Sequence, residues 1–257
     1  MAMTETTAPG SVRSIVRAVA LLRAFTAERP HLPLGELAQR THLEKATARR
    51  ILVTLCGLGL VVQDSVSGFY ALGPGMLELG AAVPALGDLR QAAAPVLARL
   101  AQATGTTAFL SVLRDDQAVC VERFHGNQPV QVSWWQVGGA LPIHCGAGPR
   151  VLLAFLRDVD IDTLLARPLA SLTPASRTDA GAVRAALGRI RRRGFELAVD
   201  DVALGLAALG VPVRDRGGTV VAALSLGGLT PHIAPRGKPR FLAEALEAAA
   251  AISARLA

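Results

Sequence analysis

The first sixty residues alternate apolar and polar positions with the period of α-helices. Over residues 14–25 the apolar side chains recur at helical spacing and predict an amphipathic helix; they are Ile15, Ala18, Val19, Leu22 and Phe25. A second, short helix is predicted over 33–40, because Pro33 suits the start of a helix. After a tight turn at 41–43, a third helix is expected to begin near Glu44.

The third predicted helix has one face for the core and one for solvent. Its core stripe consists of Ala48, Ile51, Leu52 and Leu55. Its outward positions are Lys45, Ala46, Arg49, Arg50 and Val53, with Thr47 at the margin. Two helices joined by a short turn form a helix-turn-helix, whose second helix presents such side chains to the DNA major groove. The stretch "LVVQDSVSGFYAL" adds a predicted hairpin around 64–68, and together these elements predict a winged helix-turn-helix.

The rest of the chain mixes strand and helix patterns. Strands are predicted in "TTAFLSVLRDDQAVCVERFHG", in "PVQVSWW" and in the hairpin "ALGVPVRDRGGTVVAALSLGG". Helices are predicted in "GPRVLLAFL", "AGAVRAALGRIRRRGF" and "PRFLAEALEAAAAISARLA". This order favours a mainly antiparallel sheet flanked by helices, so the fold class is α+β. We expect a first domain over 11–75, a helical linker over 76–88 interrupted by Pro84 and Gly87, and a second domain over 89–257.

Composition narrows the class of protein. The chain of 257 residues is 51% hydrophobic, yet no apolar run is long enough to span a bilayer, and its start lacks the apolar core of a secretory signal. We therefore expect a cytoplasmic protein without a membrane partner. The three cysteines lie far apart and show no metal-ligand spacing, so neither a disulfide framework nor a metal site is predicted.

The charge of the chain is unevenly distributed. The formal net charge is +7, and all but two of the 27 basic residues are arginine, a bias that GC-rich coding alone produces. Residues 11–60 carry eight basic and three acidic side chains, so much of the excess lies in the first domain. Charge by itself does not establish a nucleic-acid partner. The run Arg191 to Arg193 is interpreted as the solvated end of a helix, where cations complement the helix dipole.

The residues carry a resemblance to a known family. The stretch from "SIVRAVALLRAF" through "LPLGELAQRTHLEKATARRILVTL" to "GFYALGPGMLELG" resembles the DNA-binding domain of the IclR family of bacterial transcription regulators. Further on, "LPIHCGAGPRVLLAF" and "GLAALGVPVRDRGGTVVAALSLGG" resemble segments of the family's second domain. The resemblance implies a winged helix that binds double-stranded operator DNA and a GAF-like α/β domain. That second domain would bind a small effector and assemble dimers or tetramers.

The resemblance and the residues together predict the contacts with DNA. The chain departs from the family pattern at His42, Glu44 and Ala46, where relatives usually have Gly, Pro and Ser, so its sequence preference is expected to differ. His is tolerated in a left-handed turn at some strain. The predicted DNA-binding residues are Arg13, Ser14, Lys45, Thr47, Arg49 and Arg50. Either Arg49 or Arg50 can read guanine with two hydrogen bonds, whereas Lys45 suits a phosphate.

The effector site is predicted from aligned positions of the second domain. Its predicted residues are Trp134, His144, Cys145, Gly146, Ala147, Gly148, Ala208 and Ser225. Polar residues of relatives that bind small oxo-acids are replaced by Ala198, Ala208 and Gly227, which implies a roomier, apolar cavity. We expect an aromatic or otherwise hydrophobic effector with one anionic group, rather than glyoxylate or pyruvate. The alternative is that small residues and tryptophan fill a collapsed site with little ligand response.

Two other classes of function stay open at this stage. A basic three-helix unit can also dock onto another protein, which would make the chain an effector-sensing interaction module. An enzyme centred on Cys145 is the other class, but His144 and Cys145 would point to opposite faces of an extended segment. No acid or glycine-rich nucleophile turn is visible beside them, so no catalytic residue and no cofactor is predicted. A ligand-binding or thiol-sensing role of Cys145 stays open. The sequence thus favours an effector-modulated regulator, predicted to act as a repressor.

Overall fold

The computed structural model describes residues 11–26, 29–81, 86–127, 132 and 135–256. The chain divides into two compact units, 1–84 and 85–257, and the division falls within the segment predicted as the linker. Pro84, predicted to interrupt the linker helices, lies outside the described residues. Gly87 lies inside a helix rather than between helices. Among the described helices, none is long and apolar enough to cross a membrane.

The first unit is a winged helix-turn-helix, as predicted. Its elements are α1 (Arg13–Arg23), α2 (Leu34–Arg40), α3 (Lys45–Gly57), β1 (Val61–Gln63), β2 (Tyr70–Leu72) and α4 (Gly75–Ala81). The two strands pair in antiparallel register, and Leu32 exchanges two backbone hydrogen bonds of 2.9 Å with Tyr70. Because Leu32 lies two residues before the start of α2, this pairing ties the start of the helix-turn-helix to the wing.

The apolar stripe predicted for α1 is confirmed at Ala18, Leu22 and Phe25 and wrong at Ile15 and Val19. Ile15 and Val19 are exposed, whereas Leu21, which the prediction left out, is fully buried. The helix contacts α3 on the face formed by Ala18, Leu21, Leu22 and Phe25. The predicted set of residues and the observed buried set both have helical spacing. Only packing against α3 determines which of the two is buried.

The turn between α2 and α3 takes the conformation expected for His42. Its φ is 52°, in the left-handed region, and the amide of Leu43 then donates to the carbonyl of Ala38 at 2.9 Å. A left-handed non-glycine residue costs on the order of 1 kcal/mol. The histidine therefore preserves the turn at some expense in stability.

The second unit is a three-layer α/β domain. Its elements are α5 (Leu86–Thr104), β3 (Thr107–Arg114), β4 (Gln117–Phe124), β5 (Ala140–Pro142), α6 (Ala147–Ala154), α7 (Asp158–Leu165), α8 (Ala180–Arg193), β6 (Glu196–Val199), β7 (Leu206–Arg214), β8 (Val220–Leu229), α9 (Thr230–Ile233), a 3₁₀ turn (Pro235–Gly237) and α10 (Leu242–Arg255). The sheet order is β5-β4-β3-β8-β7-β6, and every pair is antiparallel. Helices α5 and α10 cover one face, while α6 and α8 pack on the other side. The predicted α+β class and antiparallel sheet are confirmed.

The predicted strand "PVQVSWW" falls mostly outside the described residues. The structure describes only Val132 and Trp135 of this segment, and both lie outside any strand; β5 pairs with β4. The chain turns before β5 at Gly138 (φ 85°) and Gly139: the amide of Gly138 donates to the carbonyl of Cys120 at 2.7 Å, and the amide of Cys120 donates to the carbonyl of Gly139 at 2.9 Å. The indole Nε1 of Trp135 also donates to the carbonyl of Gly139 at 3.1 Å.

The arginine run lies at the exposed end of α8, as predicted. All three residues are exposed in the last turn, before Gly194 with its φ of 78°. Arg191 pairs with Asp158 at 2.9 Å, and Arg193 pairs with Glu196. These pairings fit a structural role for the run.

Close packing between α6 and β7 requires glycine at position 210. A Cβ atom there would lie 2.7 Å from the carbonyl carbon of Ala147 and 2.9 Å from the amide nitrogen of Gly148. Both of those atoms belong to backbone, which cannot move aside as a flexible side chain does. The start of α6 is therefore positioned by the absence of a side chain on β7.

We expect Gly210→Ala to lower the free energy of unfolding by about 1–3 kcal/mol, the usual cost of overpacking. The matched control is Gly188→Ala in α8, where a Cβ would meet nothing closer than 3.7 Å. That change should stabilise the protein by about 0.5–1 kcal/mol, because alanine favours helix. Urea unfolding followed by circular dichroism measures both. Equal stability of Gly210→Ala and wild type would contradict the packing described here.

Candidate functional site

The exposed face of α3 carries three cationic side chains. Lys45, Arg49 and Arg50 are exposed and Thr47 is half-buried, while Ala48, Leu52 and Leu55 are buried, as predicted. Within the described residues, none of these three cations forms an ion pair. By contrast, Arg29 and Arg40 both pair with Glu36, at 2.5 and 2.9 Å. The positive charge of α3 is therefore available to a ligand.

The other elements of the first unit contribute less charge to this surface. Arg13 and Ser14 are exposed in the first turn of α1. The wing contains no lysine or arginine. Its turn is held by Asp64, whose Oδ1 accepts hydrogen bonds from the amides of Val66 and Ser67, and these bonds lower the pKa of the carboxyl. Val66, at the tip, is 95% exposed.

A cleft lies on the sheet face of the second unit beside the start of α6. The empty space within it, about 490 Å³, includes open solvent. The described residues that line it are Phe109, Val132, Trp135, Leu141, Gly146 to Pro149, Ala198, Asp201 to Ala203, Leu206 to Ala208, Ser225 and Gly227. Most are apolar, so the cleft suits an apolar ligand with few polar groups.

The floor of the cleft is a row of small residues on three neighbouring strands. Ala198 on β6 pairs with Ala208 on β7, which pairs with Gly227 on β8. A Cβ at Gly227 would lie 3.2 Å from Cε2 of Phe109, so a larger residue would press on that ring. The ring centroids of Phe109 and Trp135 are 5.2 Å apart. The small residue at 227 therefore leaves room for the Phe109 ring, which forms an aromatic wall of the cleft with Trp135.

The polar edge of the cleft is the first turn of α6. Gly146 adopts a φ of 88°, which glycine tolerates, and within the described residues the amides of Ala147 and Gly148 have no acceptor. The Oγ atoms of Ser111 and Ser225 both lie 3.2 Å from the position of a Cβ on Gly148. Glycine at 148 thus lets the Ser225 hydroxyl approach the helix start. Free N–H groups at a helix N-terminus favour acceptors and anions.

Behind this edge lies an ionic network that the sequence interpretation missed. Arg150 of α6 is fully buried, and its Nε is 3.0 Å from Oε1 of Glu196. Its Nη1 is 2.5 Å from Oδ2 of Asp201 and donates to the carbonyl of His144 at 3.1 Å. The amide of Gly146 also donates to Oδ2 of Asp201, at 2.5 Å.

A signal for this network was present in the sequence. The predicted helix "GPRVLLAFL" is apolar apart from one arginine. An arginine in a helix that is buried on all sides requires carboxylate partners. The sequence could not show which carboxylates, because Glu196 and Asp201 lie 46 and 51 residues further along the chain.

The structure brings together most, but not all, of the predicted effector residues. Gly146, Ala147, Gly148, Ala208 and Ser225 line the cleft. Trp134 lies outside the described residues, and Trp135 lines the cleft. His144 and Cys145 are not among the lining residues that the structure describes.

The pair of His144 and Cys145 does not have the extended geometry assumed from the sequence. Both residues lie in the turn before α6, and both side chains reach the carbonyl of Ala170. Cys145 is fully buried. Burial, with a further contribution from the Asp201 carboxylate, raises the pKa of its thiol to about 12. Because the thiolate is the reactive form, this environment does not suit a nucleophile or a thiol sensor.

Comparison with known proteins gives two family matches. Residues 83–254 match the family described as "Bacterial transcriptional regulator IclR C-terminal". Residues 14–65 match the "IclR helix-turn-helix domain". Together the two matches span both units of the chain.

Individual relatives agree with these matches. The glycerol operon regulatory protein of Streptomyces griseus is 32% identical over 95% of this chain and 96% of its own length. The transcriptional repressor IclR of Escherichia coli is 28% identical over 94% of this chain and 89% of its own length. Among solved structures, an IclR homolog from Microbacterium hydrocarbonoxydans complexed with 4-hydroxybenzoate has a TM-score of 0.81 and 25% identity. That match covers 95% of this chain and 98% of the other.

The burial of the cysteines predicts their order of modification. Cys120 and Cys145 are buried, and burial raises the pKa of each thiol to about 12, whereas Cys56 is only half-buried. In the native protein at pH 8, iodoacetamide should label Cys56 first and leave the other two until denaturant is added. Mass spectrometry of tryptic peptides measures the order. Rapid native labelling of Cys145 would restore a thiol-sensing role.

Proposed function

The chain belongs to the IclR family of bacterial transcriptional regulators, and we propose that it represses transcription by binding operator DNA through α3 and releasing it when a small effector occupies the cleft. The observation that carries this proposal is the set of exposed cations on α3 that form no ion pair with the described residues, namely Lys45, Arg49 and Arg50. Repression is supported by the similarity to the E. coli repressor. Operator DNA lies in the bacterial cytoplasm, where the protein would act.

The contacts with DNA divide into two kinds. Arg49 and Arg50 are placed to read base edges in the major groove, since a guanidinium donates two parallel hydrogen bonds to guanine. Ala46 offers only a methyl group, which suits the methyl of thymine. Lys45, at the first position of α3, and Arg13 and Ser14, at the start of α1, suit phosphates, which fix the position of the protein without reading sequence. Thr47 completes the proposed set.

A symmetric assembly is part of this proposal. Apolar side chains on the first turns of α1 are exposed; they are Val12, Ile15, Val16 and Val19. A second copy of the chain covering them would form a dimer, and dimers place two recognition helices on successive half-sites. A pair of dimers would extend this arrangement to a tetramer.

The cleft supports an aromatic or otherwise hydrophobic effector rather than a small oxo-acid. The floor of Ala198, Ala208 and Gly227 offers no polar side chain, and Phe109 and Trp135 form an aromatic wall. The free amides of α6 offer a place for one acceptor or anionic group. To act as a switch, the effector must bind the DNA-free form with higher affinity than the operator-bound form.

Arg49→Ala is expected to weaken binding to the operator by about tenfold or more, because a bidentate contact to guanine contributes about 1–3 kcal/mol. The measurement is a mobility shift with the intergenic DNA upstream of the protein's own gene, at several salt concentrations and with competitor DNA. The charge-matched control is Arg29→Ala, whose side chain pairs with Glu36 in the same unit.

The control should bind DNA nearly as well as wild type. Lys45→Ala should weaken binding to all sequences alike and reduce the salt dependence by about one counterion. If Arg49→Ala, Arg50→Ala and Lys45→Ala all bind like wild type, α3 is not the recognition helix. Binding that competitor DNA abolishes even in the wild type would instead favour the protein-interaction module.

Simple aromatic compounds such as phenol and benzoate should raise the melting temperature of the protein, whereas glyoxylate and pyruvate should not. Ligands that bind only the folded state stabilise it by mass action. Ala208→Leu, which places a larger apolar side chain on the cleft floor, should abolish the shift. Stabilisation by the oxo-acids alone, in a thermal-shift assay across both classes, would refute the aromatic effector.

A further inference from the structure

Glu44 places a negative charge at the start of α3. It is the residue directly before the helix, and it is exposed. The described acidic residues between positions 29 and 72 are Glu36, Glu44 and Asp64. Glu36 is held by two arginines, and Asp64 is held by the amides of the wing turn. Glu44, by contrast, forms no ion pair with the described residues, and its side chain makes no capping hydrogen bond.

The backbone fixes the position of Glu44, but helix capping does not explain its side chain. Its carbonyl accepts from the amide of Ala48 at 2.9 Å, which begins the hydrogen-bond ladder of α3. The turn before it is held by the amide of Leu43, which donates to the carbonyl of Ala38. The usual N-cap residues are Ser, Thr, Asp and Asn, whose short side chains accept from the amides of the first turn. The Glu44 carboxylate does not do so, and it is therefore available to a ligand.

A free carboxylate at this position opposes DNA binding in general. DNA phosphates are negative, so a carboxylate close to them weakens binding to every sequence alike. The cations of α3 attract DNA of every sequence for the same electrostatic reason. Only a sequence that offers a hydrogen-bond donor to the carboxylate compensates for the repulsion. The effect of Glu44 on affinity therefore depends on the bases that it meets.

Few groups in the major groove can donate to a carboxylate. Cytosine offers its N4 amino group and adenine its N6 amino group, whereas guanine and thymine present acceptors. On adenine the neighbouring N7 is also an acceptor and repels a carboxylate, whereas the groove edge of cytosine carries no acceptor of its own. Cytosine is therefore the base that suits a glutamate at the start of α3.

We propose that Glu44 is a specificity-determining residue for operator DNA and that its carboxylate accepts a hydrogen bond from the N4 amino group of a cytosine in each half-site. A recognition helix presents the residues of its N-terminal end to base edges, and Glu44 lies at that end of α3. The same negative charge weakens binding to sequences that lack the cytosine. This inference rests on the proposed function, namely that α3 binds operator DNA.

The first unit offers a matched pair of variants. Glu44→Gln keeps the length of the side chain and removes its charge, and the new amide donates as well as accepts. Glu78→Gln is the charge-matched control, because Glu78 is exposed and belongs to the same unit but lies on α4. Both variants remove one negative charge, and only Glu44→Gln changes the group at the start of α3.

The experiment selects binding sites for the full chain from a library of randomised DNA duplexes. Each C·G pair of the selected motif is then replaced in turn by T·A, and the affinity of each duplex is measured. For wild type and Glu78→Gln, replacing one particular C·G pair of the half-site should weaken binding about fivefold or more, as expected for one lost base contact. In Glu44→Gln the preference at that pair alone should disappear, because a glutamine amide also donates to O4 of thymine. This variant should also bind random duplex more tightly than wild type does.

Each outcome decides the matter. If Glu44→Gln keeps every base preference of the wild type, the role of Glu44 is overturned while sequence-specific binding stands, whether the variant gains affinity for all duplexes or only melts at a lower temperature. A wild-type motif in which no C·G pair is preferred to T·A also overturns it, and that comparison holds even if Glu44→Gln does not fold. If folded wild type selects no sequence at all, both the inference and the proposed function fail.

Discussion

The burial of one guanidinium constrains the whole ligand-binding side of the second unit. Arg150 is fully enclosed, so its charge must be met by carboxylates that other elements bring to it. Glu196 comes from β6, and Asp201 comes from the loop that follows β6. Removing one partner from such a network typically costs about 3–5 kcal/mol, because a buried charge is left uncompensated. The network therefore fixes α6, the edge strand and the loop relative to one another.

The same network determines the polarity of the cleft. Asp201 uses one oxygen to hold Gly146 and Arg150, and its other oxygen has no partner among the described residues. The remaining lining is mostly apolar, with small residues on the floor and two aromatic rings at the wall. A ligand here would gain affinity from apolar burial and selectivity from a few polar groups at one edge.

In the first unit, some arginines are held in ion pairs, whereas others are available to bind DNA. Arg29 and Arg40 are both held by Glu36, whereas the cations of α3 have no acidic partner in the part of the chain that the structure describes. Exposed ion pairs contribute little to stability, and their main effect here is to reduce the charge offered to DNA away from α3. A helix with unpaired cations on one face and a buried stripe on the other is suited to the major groove.

The left-handed turn at His42 and the small residues at 198, 208 and 227 were expected from the resemblance to the family. The sequence by itself determined the winged helix-turn-helix and the two faces of α3. These features depend on local periodicity and turn chemistry, which neighbouring residues set. Tertiary structure alone decided which apolar residues of α1 are buried, that β5 pairs with β4, and that Arg150 meets Glu196 and Asp201. Each of these depends on a contact between residues distant in the chain, and a local pattern carries no information about which distant residue will supply the contact.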